Sequence, residues 1–223
     1  MTNDAPQQKR IRSFVRRAGR LTVAQARALQ ELWPVYGLDY SDRLLDLDEV
    51  FGRQAPRILE IGFGNGELLA TLAVRRPDTD FIGIEVHEPG MGHLLIELEK
   101  HALTNVRVLR HDAIEVLNRQ IADAALDQVN LFFPDPWPKK RHHKRRIVQP
   151  AFLNLLSRKI KAGGCFHVAT DWMNYAEHIE EMVNAEVAFE SAEVDASERP
   201  TTKFERRGKG LGHDIWERVY QRT

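Results

Sequence analysis

Arg57–Leu69 reads RILEIGFGNGELL. An apolar run, Ile58, Leu59 and Ile61, gives way to three glycines two apart, Gly62, Gly64 and Gly66. Leu68, Leu69, Leu72 and Ala73 then follow at helical spacing. The pattern predicts a strand, a tight turn and a helix. A dinucleotide fingerprint requires G-x-G-x-x-G, whereas here the third glycine comes one residue early and Glu67 stands where the last glycine belongs. With Glu60 ahead of the turn, the motif is E-x-G-x-G-x-G. Glycines permit positive φ and let a ligand lie against bare backbone, and an acid at the strand end can accept hydrogen bonds from an amine or hydroxyl. Such a turn can also be a packing device or serve another nucleotide, so the rest of the chain has to decide.

Downstream the alternation repeats. Strands are expected at 81–86, 106–109, 128–133 and 165–170, with helices at 89–103, 113–120, 150–160 and 175–185, and two late runs at 188–194 and 215–220 close the sheet as a hairpin. This is an α/β pattern: a mostly parallel, doubly wound sheet with a C-terminal antiparallel hairpin. Ligands of such sheets sit beyond the carboxyl ends of the strands. There Glu85 ends the second strand, nineteen residues after Gly66, where a carboxylate can accept from ribose hydroxyls. Asp112 ends the third, placed either to accept from the exocyclic amine of adenine or to cap the helix that begins at Ala113. Acids on successive strand ends, and no lysine in the turn, suit a cationic sulfonium better than a triphosphate. A P-loop would require G-K-[ST], which is absent; NAD stays open in principle. The glycine motif resembles the first motif of Rossmann-like methyltransferases that use S-adenosylmethionine.

The 223 residues, 43% of them hydrophobic, can bury one good core. Lys plus Arg equals Asp plus Glu at 32 each, so only the distribution of charge can point to a polyanion. The single cysteine, Cys165, excludes an internal disulfide and suits a reducing compartment. No apolar run approaches the roughly 20 residues of a membrane span, and the N-terminus lacks a secretory pattern. A cytoplasmic protein is expected.

Residues 1–30 read as a basic arm followed by a short helix. Lys9, Arg10, Arg12, Arg16, Arg17 and Arg20 stand against a lone Asp4, and Thr22 can cap a helix running to Leu32. Residues 31–223 form the expected single catalytic domain, of which 33–56 is a lead-in with no assigned structure.

The fourth strand runs into LFFPDPWPKKRHHKRR, Leu131–Arg146. Pro134, Pro136 and Pro138 stiffen the backbone that carries Asp135 and Trp137. Lys139, Lys140, Arg141, Lys144, Arg145 and Arg146 follow, six cations in eight residues. A fixed carboxylate and an indole beside such a cluster suit phosphate positioning next to base recognition. Adjacent His142 and His143 cannot share a helix face and no cysteine completes a ligand set, so no metal is expected.

P-D-P-W-P-K-K-R-H-x-K-R-R, E-x-G-x-G-x-G and the later T-K-F-E together resemble the bacterial tRNA (guanine-N7-)-methyltransferase family, from about residue 30 to the C-terminus. The resemblance implies S-adenosylmethionine as cofactor and guanosine 46 of the tRNA variable loop as target. It implies roles for Glu60, Glu85, Asp112 and Asp135 around cofactor and reaction centre, Asp135 being the catalytic candidate, with Gly62, Gly64 and Gly66 at the cofactor. It also places Lys139, Asp171 and the run Thr202, Lys203, Phe204 and Glu205 at the substrate. The other cations of the loop are expected at tRNA phosphates. Two further readings stay open: an amino-methyltransferase acting on adenine in nucleic acid, and a non-catalytic RNA-binding protein on the same fold. A monomer is expected because no apolar stripe invites a partner.

Overall fold

The computed structural model describes residues 12–14, 19–193 and 214–223. Within these, the motif at 57–69 forms strand β2 (Arg57–Ile61), the glycine turn and helix α4 (Glu67–Arg75). The alternation continues through β3 (Asp80–Ile84), α5 (Glu88–Lys100), β4 (Val106–Leu109) and α6 (Ala113–Arg119). After β5 (Leu126–Phe132) come a 3-10 helix at Lys140–Arg145, α7 (Pro150–Lys159), β6 (Ile160–Thr170) and α8 (Met173–Asn184). β7 (Phe189–Ala192) and β8 (Trp216–Arg222) end the chain.

The strands form one sheet in the order β4-β3-β2-β5-β6-β8-β7. Pairing is parallel from β4 to β6 and antiparallel for β8 against both β6 and β7. Order reverses between β2 and β5, which defines the crevice where a ligand sits in such sheets. The expected hairpin is therefore present, with its second strand inserted between β6 and its first. β6 starts five residues before the expected Cys165: Ile160 pairs with Leu126, and a register shift follows before Cys165 meets Gln128. The intervening Lys161–Gly164 carries no apolar run and could not be read as strand.

Two apolar layers hold the sheet. Leu69, Leu72, Met91, Leu94, Leu95 and Leu98 from α4 and α5 cover one face together with Ile58, Phe81 and Val106. Val116, Leu117, Phe152, Leu156, Ile179 and Val183 from α6, α7 and α8 cover the other.

The lead-in has structure of its own: α2 (Trp33–Tyr36), β1 (Gly37–Leu38) and α3 (Leu47–Phe51). β1 adds to the sheet edge parallel to β4, with Gly37 opposite Val108 and Leu38 opposite Leu109. Helix α1 (Val23–Glu31) starts in a capping box, in which the Thr22 side chain accepts from Gln25 N–H and the Gln25 side chain accepts from Thr22 N–H. Ala28 is fully buried, Gln25 Nε2 donates to Pro89 O at 3.0 Å, and Arg27 pairs with Glu99 at 2.6 Å. The short helix expected after the arm is thus present and seated on α5, within the same core.

Candidate cofactor and nucleic-acid site

The carboxyl ends of β4, β3, β2 and β5 lie side by side, and a cavity of about 410 Å³ opens there. Gly62 and Ile61 from β2 and its turn line it, with Ile84 to His87 after β3, His111 and Ala113 after β4, and Leu131 to Asp135 after β5. Gly62 has φ +72° and donates its N–H to Ile84 O at 2.8 Å. A Cβ built there meets nothing within 4 Å, so the space beside it is open to a ligand. Gly66 has a different duty: at φ +76° it starts α4, and a Cβ would stand 2.6 Å from the Cβ of Leu94 on α5. Gly64 lies between them, also at positive φ.

Glu85 organises the turn. Its Oε2 accepts from Gly64 N–H at 3.0 Å, and its Oε1 accepts from the N–H groups of Val86 and His87 at 2.6 and 3.0 Å. A carboxylate has about four acceptor positions, so Glu85 grips the loop and keeps capacity for a hydroxyl of a ligand. Glu60, one residue before the end of β2, is 3% exposed and is not among the residues that line the cavity. Asp112 is 6% exposed and accepts from Ile114 N–H at 2.9 Å, so its capping role is realised, while its neighbours His111 and Ala113 line the cavity. Asp135 is exposed and on the lining. Among the described residues, the two acids of the lining, Glu85 and Asp135, have no Lys or Arg beside them on that wall. Such a wall suits a cation and is poor for phosphates. Open backbone at Gly62 and an anionic, partly apolar wall fit the nucleoside and sulfonium of S-adenosylmethionine. Among the described residues no cluster of His, Cys, Asp or Glu could hold a metal ion.

The loop after β5 is built by specific ties. Phe133 and Trp137 flank Asp135 with φ +51° and +46°, conformations that bulky residues rarely adopt. Phe133 N–H donates to Ala169 O at 2.8 Å, and Trp137 Nε1 donates to Ser13 O at 3.0 Å. The Arg145 guanidinium lies 4.1 Å over the indole and donates to Arg12 O at 3.2 Å. One face and the N–H of Trp137 are therefore engaged within the protein. Ser13 and Phe14 also line the cavity, so described residues of the basic arm reach its mouth.

The cations of this loop separate into two groups. Lys139, Lys140, Arg141 and Lys144 are exposed and Arg145 is half-buried. Arg146, expected among the phosphate-facing cations, is 2% exposed: it donates to Pro136 O at 3.0 Å and to Asn174 Oδ1 at 2.7 Å, and packs 4.8 Å over the Tyr175 ring. Burial holds its pKa below the usual guanidinium value. It is the internal strut of the loop. Burial first, then the charges of Arg141, Arg145, Lys139 and Lys144, keep the His142 pKa below the ordinary imidazole value.

Asp171 follows β6 and is half-buried, one residue ahead of Trp172, which occupies the N-cap position of α8. Thr202, Lys203, Phe204 and Glu205 lie outside the described residues. Residues absent from the sequence reading also reach the site: His87, His111, Phe14 and Ser13 line the cavity. His87 and His111 each lie within two residues of a strand-end acid that was singled out, and that proximity is the signal that could have found them.

This fold and this wall together define an S-adenosylmethionine-dependent methyltransferase of the Rossmann-like class. Solved structures support the fold: the 16S rRNA methyltransferase KamB superposes with a TM-score of 0.61 at 15% identity, covering 81% of this chain and 95% of that one. A 16S rRNA (adenine(1408)-N(1))-methyltransferase from Catenulisporales acidiphilia gives 0.56 at 13% identity, over 82% and 97%. A family profile described as "Putative methyltransferase" matches residues 54–218. Much nearer in sequence, the tRNA (guanine-N(7)-)-methyltransferase of Ectopseudomonas mendocina is 54% identical over 100% of this chain and 96% of its own length. That of Stutzerimonas stutzeri is 56% identical over 95% and 92%. The chain belongs to the tRNA (guanine-N7-)-methyltransferase family.

Proposed function

We propose that this chain methylates N7 of guanine in tRNA with S-adenosylmethionine as donor, and that its target is guanosine 46 of the variable loop. The observation that carries the reading is a cavity wall with two acids and, among the described residues, no Lys or Arg, adjoining an exposed cluster of Lys139, Lys140, Arg141 and Lys144. Kinship of more than half the sequence to tRNA methyltransferases supports the substrate class.

When bound, S-adenosylmethionine supplies a methyl group on a positively charged sulfur. The guanine N7 lone pair carries no proton, so its attack needs no general base. Positive charge then spreads over the purine. Asp135, fixed on the cavity rim, stabilises that charge or accepts from the N1 and N2 hydrogens, and either action orients the nucleophile. Glu85 holds the glycine turn and the ribose, with Glu60 and Asp112 buried behind them. The exposed cations take phosphates, and Asp171 with the run 202–205 completes the substrate side.

The enzyme works as a cytoplasmic monomer, with one catalytic domain at 31–223 onto whose core the preceding helix α1 packs. Among the described residues the exposed large apolar side chains, such as Val23, Leu44, Val74 and Val187, are spread over separate helices and loops and form no stripe. Among the described residues no helix is long and apolar enough to cross a membrane.

Reaction with a tRNA transcript, followed by nuclease digestion and mass spectrometry, tests the reading. N7-methylguanosine from the variable-loop fragment is expected. N6-methyladenosine, or no transfer despite tRNA binding, overturns it.

A further inference from the structure

The lead-in places an aromatic side chain against the cofactor cavity. β1 pairs with β4 in parallel, Leu38 opposite Leu109, so the two strands leave the sheet at the same edge and Tyr40 arrives beside His111. Their rings stack with centroids 3.7 Å apart and planes 8° from parallel. The His111 Nε2 donates to Glu115, one turn into α6, which fixes the ring about its axis. Tyr40 is itself anchored through the preceding residue: Asp39 Oδ1 accepts from Trp33 Nε1 at 3.0 Å, and Asp39 O accepts from Gln120 Nε2 at 3.2 Å.

On its outer side Tyr40 borders two hollows, one of about 250 Å³ with Trp33 and Arg110, another of about 540 Å³ with Glu115 and Arg119. His111 lines the inner cavity and Tyr40 does not. The pair is therefore a wall between the cofactor cavity and open surface.

We propose that His111 contacts the purine end of the methyl donor and that Tyr40 and Glu115 are positioning residues that set the plane and rotation of its imidazole. The proposal rests on the reading that S-adenosylmethionine occupies this cavity. With one ring face covered by Tyr40 and Nε2 held by Glu115, the cavity is offered the remaining face and edge of a planar ring. Such a surface suits an adenine ring, which stacks and presents an exocyclic amine. Removing Tyr40 leaves His111 free to rotate away and opens the cavity to the outer hollows, so the loss falls on donor affinity. It does not fall on transfer or on tRNA.

Isothermal titration of the full chain with S-adenosylhomocysteine and with 5′-methylthioadenosine, which keeps the purine and lacks the amino acid, reads this directly. Tyr40→Ala and His111→Ala are expected to weaken both ligands by roughly five- to tenfold, the size of an aromatic contact, with Tyr40→Phe restored to about the parent value. KM for the donor rises by the same factor, while kcat at saturating donor and tRNA affinity are retained. Unchanged donor affinity in both alanine variants, in a parent that binds S-adenosylhomocysteine, overturns the proposal alone. A loss confined to kcat or tRNA affinity also overturns it. A parent chain that binds neither ligand overturns the cofactor reading beneath it.

Discussion

Asp135 sits between Phe133 and Trp137, two non-glycine residues held at positive φ. Conformations of this kind cost on the order of 1–3 kcal/mol and persist only where the surroundings over-determine them. Here the Phe133 tie to Ala169 and the Trp137 tie to Ser13 do so. The strain buys a carboxylate fixed on the cavity rim. Replacing Asp135 with Asn keeps the shape and removes the charge, so single-turnover transfer should fall by roughly a hundredfold. Titration with S-adenosylhomocysteine should remain near the parent value. An unchanged rate would remove Asp135 from the reaction. At this scale the sequence was an incomplete guide. Glu85 and Asp135 could be placed because each lies within three residues of a strand end. Arg146 could not be separated from its neighbours, since its partners Asn174 and Tyr175 are distant in sequence and only the fold brings them under the loop.

Among the elements, the 3-10 helix Lys140–Arg145 carries the electrostatic part of the account. Its exposed cations end a rigid proline-bearing loop whose inner side is pinned by Arg146 and covered by Arg145. Each phosphate neutralised by a protein cation releases counterions, so binding weakens as salt rises. Changing Lys139, Lys140 and Arg141 together to Ala should weaken tRNA binding and lower the slope of log Kd against log salt by about 2 to 3. Equal slopes for variant and parent would contradict this role. The loop's existence was legible from its prolines and charges, and so were the long strands and helices, whose apolar periodicity is set by burial against the sheet. β1 was not, because two residues carry no periodicity and its place depends on pairing with β4. The start of β6 was hidden for a related reason, lying in a polar, glycine-containing stretch.

For the molecule as a whole, the reversal of strand order between β2 and β5 gathers acids from separate strands at one edge. The core beneath them also sets the response to acid. His178 on α8 is half-buried and hydrogen-bonded to Val148 O at 2.8 Å. Burial, reinforced by the nearby Arg146, holds its pKa below the ordinary value, against an opposing pull from that carbonyl and from Glu181. As pH falls through the ordinary imidazole range near ~6.5, the unfolded chain takes up the proton first, so stability declines with acid and is restored as pH rises. His178→Gln should flatten the acid limb of a urea-midpoint profile between about pH 7 and pH 5. An identical limb in the variant would assign that sensitivity elsewhere.

Catalysis depends on N7 of guanine as the nucleophile, brought by the cationic loop to an anionic donor cavity. A tRNA ligated to carry 7-deazaguanosine at the variable-loop target replaces that lone pair with a C–H and leaves the Watson–Crick edge intact. Labelled-methyl transfer to this tRNA should be abolished, with binding equal to that of the unmodified transcript. Transfer at the parent rate would contradict the account.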